Sequence, residues 1–174
     1  MHKRRNRIST LFVIIILFGF ISCKKQSPQL PSNKGNVADK DVVALLAINQ
    51  NLATKEDSIL QVFADKDREF KKSELGFWYK ISQSADGAFL KDKDICMLVF
   101  QMKLLNGKVL DHGKKQIIIG KKQVVTGIEQ GLKLMHKGDS ATFIIPSYLG
   151  YGMKGNLPLI PPYTSIIYQV KLLK

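Results

Sequence analysis

The sequence predicts an α+β domain, an antiparallel sheet with one short helix, entered through an N-terminal helical arm. Three observations predict it. Residues 38–70 contain no proline and repeat apolar side chains at helical spacing. From Gly76 onward, short runs rich in β-branched and aromatic residues alternate with turn signals, as strands do. Within that part only Val125 to Met135 returns to a helical period, with Ile128, Leu132 and Met135 on one face. Helical and strand-rich stretches that are segregated along a chain give an α+β arrangement.

The first element is a targeting segment. Lys3, Arg4, Arg5 and Arg7 precede eleven mostly apolar residues, Leu11 to Ile21. That run is short for a membrane span, which needs about 20 apolar residues. A basic start, a short apolar core and small residues near the end describe a secretory signal peptide, assigned to 1–22. The segment closes with Phe20-Ile21-Ser22-Cys23. This resembles a bacterial lipobox, with Phe20 where Leu is usual, and implies that Cys23 is lipidated and becomes the mature N-terminus. The alternative is an uncleaved anchor with an incidental cysteine. Both place the domain outside the cytoplasm, and Lys24 favours outer-membrane sorting. Residues 23–37 form the lipidated N-terminus and a linker rich in Lys, Ser, Pro, Asn and Gly.

Composition narrows the function classes. The chain has 174 residues, 45% of them apolar, and a formal net charge of +13. The lysines are scattered in ones and twos, with no aromatic-interleaved basic stripe, so the charge reads as a solvated surface able to face anionic lipid, and nucleic acid is excluded as a partner. Of the two cysteines, Cys23 is assigned to lipid by the lipobox resemblance, which leaves Cys96 without an internal partner; inside an apolar strand-like run, Cys96 is expected to be a buried, inert thiol. The three histidines are far apart and no Cys/His metal spacing exists, so neither a metal nor a cofactor is expected.

The helical extension is assigned to 38–73. Val42, Val43, Leu45, Leu46 and Ile48 make one apolar stretch; Ile59, Leu60 and Phe63 recur at helical spacing. Thr54 with Asp57 three residues on approximates a capping box and predicts a second helix start there. The span reads either as a helical hairpin packed on its own domain or as a dimerisation or partner arm. The main domain is assigned to 74–174. Its first strand is Gly76 to Ile81. A strand at about 94–105 ends at Asn106-Gly107, a strong hairpin signal. Lys108 to Leu110 is the next strand, leading to Asp111, and Ile117 to Ile119 a further short one. After the helix come a turn at Lys137-Gly138-Asp139, a strand from Ala141 to Ile145, a Pro146-Ser147-Tyr148 turn, Gly150-Tyr151-Gly152, Leu159-Ile160-Pro161-Pro162, and a last strand from Thr164 to Leu173.

The ordered set from Cys96 to Leu173 resembles the FKBP-type peptidyl-prolyl isomerases, over about 95 residues if the strand at Phe77 is included. The resemblance implies a curved antiparallel sheet wrapped over one short helix, with the active pocket between them. Carried over by position, Asp111 and Tyr151 are the catalytic candidates. Substrate-binding positions are Phe100 where the family usually has Tyr, Leu110 where Phe is usual, Val124 and Val125 at the apolar edge, Ile128 at the floor in place of Trp, Ile160 before the two prolines, and Tyr168 at the back wall in place of Phe. The backbone N–H of Val125 and the hydroxyl of Tyr151 are the implied donors to a bound peptide. An apolar lining suits the reaction. Rotation about X–Pro loses amide resonance across a barrier of about 18–20 kcal/mol, and the twisted state separates less charge than the planar amide. The three smaller or less polar side chains at 100, 110 and 128 imply weaker grip on a prolyl ring and on the family's macrolide inhibitors.

Two functions from different classes follow. One is a lipid-anchored prolyl isomerase in the cell envelope, facing the periplasm, whose partners are proline-containing segments of exported proteins, the membrane through its lipid, and a second copy through the N-terminal helices. The arm followed by Gly76-Phe77-Trp78-Tyr79-Lys80 also looks like FKBP lipoproteins of gliding Bacteroidetes, which implies service to a motility apparatus. The other is a non-catalytic binding module that keeps the fold to dock an envelope partner. A purely structural envelope lipoprotein leaves the ordered pocket motifs unexplained.

Overall fold

The structure, a computed structural model, describes residues 36–83 and 87–174. The signal peptide, Cys23 and almost all of the linker lie outside the described residues. Two units divide the chain, Met1–Asp41 and Val42–Lys174. Of the first, only the opening of helix α1 is described.

Helix α1 spans Asn36–Ala64 without a break. This corrects the expected helical hairpin and the second helix start at Thr54. The Thr54 hydroxyl donates back to the Gln50 carbonyl at 2.9 Å, and Ser58 does the same to Thr54 at 3.0 Å. A hydroxyl bonded within the preceding turn has no need to cap a new helix.

Six strands follow: β1 (Lys71–Lys72), β2 (Trp78–Gln83), β3 (Ile95–Leu104), β4 (Val109–Ile118), β5 (Ser140–Ile145) and β6 (Ile166–Leu172), with helix α2 (Thr126–Leu132) between β4 and β5. They form one antiparallel sheet in the order β1-β2-β5-β6-β3-β4. The α+β fold class is as expected. Two boundaries differ. The sheet begins at Lys71, inside the stretch assigned to the helical extension. The two short strands expected on either side of Asp111 are one strand, β4, because every residue from Asp111 to Ile118 pairs with β3. The Asn106-Gly107 turn closes the β3–β4 hairpin as predicted, with Gly107 at φ +87°.

The two faces of the sheet bury different things. One face carries Phe77, Leu98, Met102, Phe143, Ile145, Ile166, Tyr168 and Val170, and these pack with Ile128 and Leu132 of α2 into the main core. Gly127 and Gly131 permit that approach. A Cβ at Gly127 would stand 2.7 Å from Ile145, and one at Gly131 2.6 Å from Phe143. Glycines four apart on one face of α2 let it lie directly on β5. On the opposite face Trp78 and Ile144 are covered by Leu60 and Ala64 of α1. Full burial of a leucine contributes about 1.5–3 kcal/mol, so this contact anchors the C-terminal half of the arm. The preceding half does the reverse: Val42, Val43, Leu45, Leu46 and Ile48 are all more than half exposed. Cys96 is buried and free, as expected, and burial pushes its thiol pKa up.

Candidate active site

The site lies where β3, β4, β6 and the start of α2 meet the loop after β5. Strand alternation places it. Phe100 and Met102 stand two apart on β3; Phe100 pairs with Val170, and Met102 with Tyr168. The rings of Phe100 and Tyr168 stack at 5.3 Å with planes 2° apart. Across β4 the register slips, so that Met102 faces Asp111 while Lys103 faces Val109. Leu110 is therefore the extra residue of a β-bulge, a device that re-aims side chains beside a site. Leu110 turns onto the core cluster while Asp111 is exposed.

Helix α2 begins after Val125, an extended residue with no side chain able to cap the first turn. The first N–H groups of a helix have no intrahelical acceptor, so this start offers backbone donors. Glu129 holds the approach to it. This buried carboxylate accepts the N–H of Gly120 and, at 3.1 Å, that of Lys122, tying the β4–α2 loop back onto the helix and fixing Val124 and Val125.

Tyr151 comes from the loop after β5. A 3₁₀ turn at Ser147–Leu149 delivers it. The Ser147 carbonyl accepts the N–H of Gly150 at 2.9 Å and of Gly152 at 2.8 Å, gripping both neighbours of the tyrosine. Gly152 needs its φ of +60° for this turn. The segment then returns through Gly155, where a Cβ would overlap the Ile160 carbonyl at 2.3 Å, so the loop closes tightly and Ile160 enters the core fully buried.

All of the predicted apolar positions come together. Ile128, Ile160 and Tyr168 belong to the buried cluster, and Phe100, Leu110, Val124, Val125 and Tyr151 are half-buried against it. The Tyr151 hydroxyl donates to the Met102 sulfur at 3.7 Å. Burial raises the phenol pKa of Tyr151 above its ordinary value, and the Asp111 charge raises it further. Tyr168 is raised by burial first, then by Tyr151 and Asp111. Both tyrosines thus stay protonated at neutral pH, with a carboxylate close enough to act on them. Asp111 does not bond either hydroxyl; its Oδ1 accepts the adjacent His112 N–H at 2.8 Å. With phenylalanine at position 100 there is no hydroxyl there to hold it.

Sequence reading missed Met102 and Glu129. Met102 was legible in principle, since it follows Phe100 by two on a strand and must share its face. Glu129 was not, because its partners are backbone groups whose position only the folded loop defines.

Comparison with known proteins agrees with this geometry. Residues 87–173, half of the chain, match the FKBP_C family, FKBP-type peptidyl-prolyl cis-trans isomerase. Over 111 residues the chain is 33% identical to the probable FKBP-type peptidyl-prolyl cis-trans isomerase of Haemophilus influenzae, covering 62% of this chain and 46% of that protein. It is 30% identical over 111 residues to the FKBP-type peptidyl-prolyl cis-trans isomerase FkpA of Escherichia coli, covering 62% of this chain and 41% of the relative. The chain therefore spans under half the length of these curated relatives. The crystal structure of FkpA from Escherichia coli superimposes with a TM-score of 0.62 at 23% identity, covering 95% of this chain and 81% of that one, a likeness of fold.

Proposed function

Because the chain belongs to the FKBP-type peptidyl-prolyl cis-trans isomerase family, we propose that it catalyses prolyl cis/trans isomerisation in exported proteins, using the cluster around Tyr151 and Ile160. The observation that carries this reading is the Tyr151 hydroxyl, half-buried among apolar side chains and engaged only by a thioether among the described residues. Sulfur is a weak acceptor. A peptide carbonyl arriving at the site takes the hydroxyl at little cost, and the apolar surround strengthens the new bond. The prolyl ring lies on Ile128 against Phe100, Leu110, Val124 and Tyr168, and the Val125 N–H takes a second carbonyl. Twisting about the X–Pro bond reduces amide resonance and its charge separation, which a water-poor lining favours. Asp111, charged at the rim, orients the polar end of the peptide and biases the Tyr151 dipole. No bond to the protein forms and no proton is exchanged.

The setting belongs to the same proposal. The lipobox-like Phe20-Ile21-Ser22-Cys23 supports a lipid anchor at Cys23 in the envelope, the periplasm-facing outer membrane being favoured by Lys24. The exposed apolar residues Val42 to Ile48 on α1 support pairing with a second copy through the arms. A service to a motility apparatus is supported only by the resemblance of the arm and the Gly76–Lys80 run to lipoproteins of gliding bacteria. The second reading, a catalytically weak binding module, is favoured by Ile128 at the floor.

Titration with a short X–Pro peptide, followed by NMR, tests the site. The peptide is expected to shift the Val125 amide and the Tyr151 ring. Shifts confined to α1 or the outer face of the sheet would move the binding surface elsewhere and defeat the proposal.

A further inference from the structure

Strands β5 and β6 pair as far as Ile145 opposite Ile166 and then part. Beyond that point β5 runs into the segment bearing Tyr151, and β6 is entered from the segment bearing Ile160. Where a ladder ends, its donors need other acceptors. Here one carboxylate from α1 supplies them. Glu56 accepts the Ser147 N–H at 2.7 Å, the Ser147 hydroxyl at 2.8 Å, and the Ser165 hydroxyl. Both serines are buried. The Ser147 carbonyl in turn grips Gly150 and Gly152 on either side of Tyr151. Ser165 lies three residues before Tyr168 and directly after the turn that follows Ile160.

One further polar contact adjoins this point, the Tyr148 hydroxyl donating to Asp57 at 3.2 Å near the surface. A cavity of about 740 Å³, lined by Leu52, Ile59, Leu105 and Met153 among others, lies between α1 and the surrounding loops. Apolar packing of the arm resumes only at Leu60. The tie beside the cavity is therefore polar, and it joins the arm to both walls of the site.

We propose that Glu56 is a positioning residue for the prolyl pocket, setting the separation of the Tyr151 segment and the Ile160–Tyr168 segment and thereby coupling the arm to the site. The proposal rests on the isomerase reading above, and its test includes a signal independent of activity. Glu56→Ala and Glu56→Gln are compared with Phe63→Leu, which loosens the packing of the arm without touching the carboxylate. Glu56→Ala is expected to lower kcat/KM for a prolyl peptide roughly five- to tenfold, as small misplacements of a wall do. It should also shift the Tyr151 ring resonances. Glu56→Gln, keeping one acceptor oxygen, should recover part of both, and Phe63→Leu should change neither. A folded Glu56→Ala with wild-type kcat/KM and unmoved Tyr151 resonances overturns the proposal, as does an equal loss in Phe63→Leu. If Glu56→Ala does not fold, the Ser147→Ala, Ser165→Ala double variant decides it: lost rate and shifted resonances uphold it, unchanged ones overturn it. If the wild type catalyses no exchange, the isomerase reading falls, while the Tyr151 resonances still decide whether Glu56 places the ring.

Discussion

Gly131 of α2 lies so close to Phe143 of β5 that a methyl group on it would stand 2.6 Å from the ring. The contact sets how deeply α2 sinks onto the sheet, and hence the height of Ile128, which α2 also carries. Alanine in a helix gains about 1 kcal/mol over glycine. Overpacking a core costs about 1–3 kcal/mol. The clash should win: Gly131→Ala is expected to lower the stability by up to about 2 kcal/mol net, read as a lower denaturant midpoint at unchanged slope. A raised midpoint would show that Phe143 moves aside freely.

Ile128 is buried where the family resemblance implies a tryptophan. A larger aromatic floor offers more surface to a prolyl ring. Ile128→Trp is expected to tighten binding of an X–Pro peptide by roughly fivefold, consistent with about 1 kcal/mol from an added aromatic contact, while lowering stability by about 1–3 kcal/mol through overpacking. Peptide titration and thermal unfolding of the same sample check both. Unchanged affinity would mean that the peptide does not rest on this residue.

Two tyrosines give the fold an alkaline limit. Tyr151 and Tyr168 are raised chiefly by burial. A phenol whose pKa is higher folded than unfolded contributes stability fully below about pH 10, where the unfolded chain holds its proton, and loses it as pH rises through the folded value. Stability should therefore fall as the pH rises above about 10. Tyr168→Phe removes one ionising group and should flatten that fall. Denaturant midpoints at pH 8 and pH 11 measure it, and an equal fall in wild type and variant would contradict the burial argument.

The exposed face of α1 bears on assembly. Val42, Val43, Leu45, Leu46 and Ile48 crowd within two turns, and exposed apolar patches of this kind mark interaction surfaces. Leu45→Glu with Leu46→Glu is expected to convert a dimer to a monomer by sedimentation at micromolar concentration, with the far-ultraviolet signal of the sheet unchanged. A wild type already monomeric there would refute pairing through the arms.

Much of this was legible because the signals are local. Asn106-Gly107, the glycine-spaced α2 and the Ile160-Pro161-Pro162 turn each impose a backbone shape, and their order places the pocket walls. The bulge at Leu110 was not legible, since register depends on the partner strand, and so one strand was read as two. Nor was the unbroken α1: Thr54 satisfies a capping pattern, but its hydroxyl bonds backward within the helix. Glu56 and Glu129 escaped for one shared reason. Their partners are separated in sequence, 91 residues for Ser147, and are backbone groups or small hydroxyls that leave no pattern.

The most direct measurement of the central claim is prolyl cis/trans exchange on a short X–Pro peptide, with the wild type beside an Asp111→Ala, Tyr151→Phe double variant. Losing a weak bond to sulfur and an exposed carboxylate should leave stability within about 1 kcal/mol. The account predicts acceleration by the wild type that falls at least tenfold in a folded double variant. Equal acceleration by both proteins, or none by either, would contradict it.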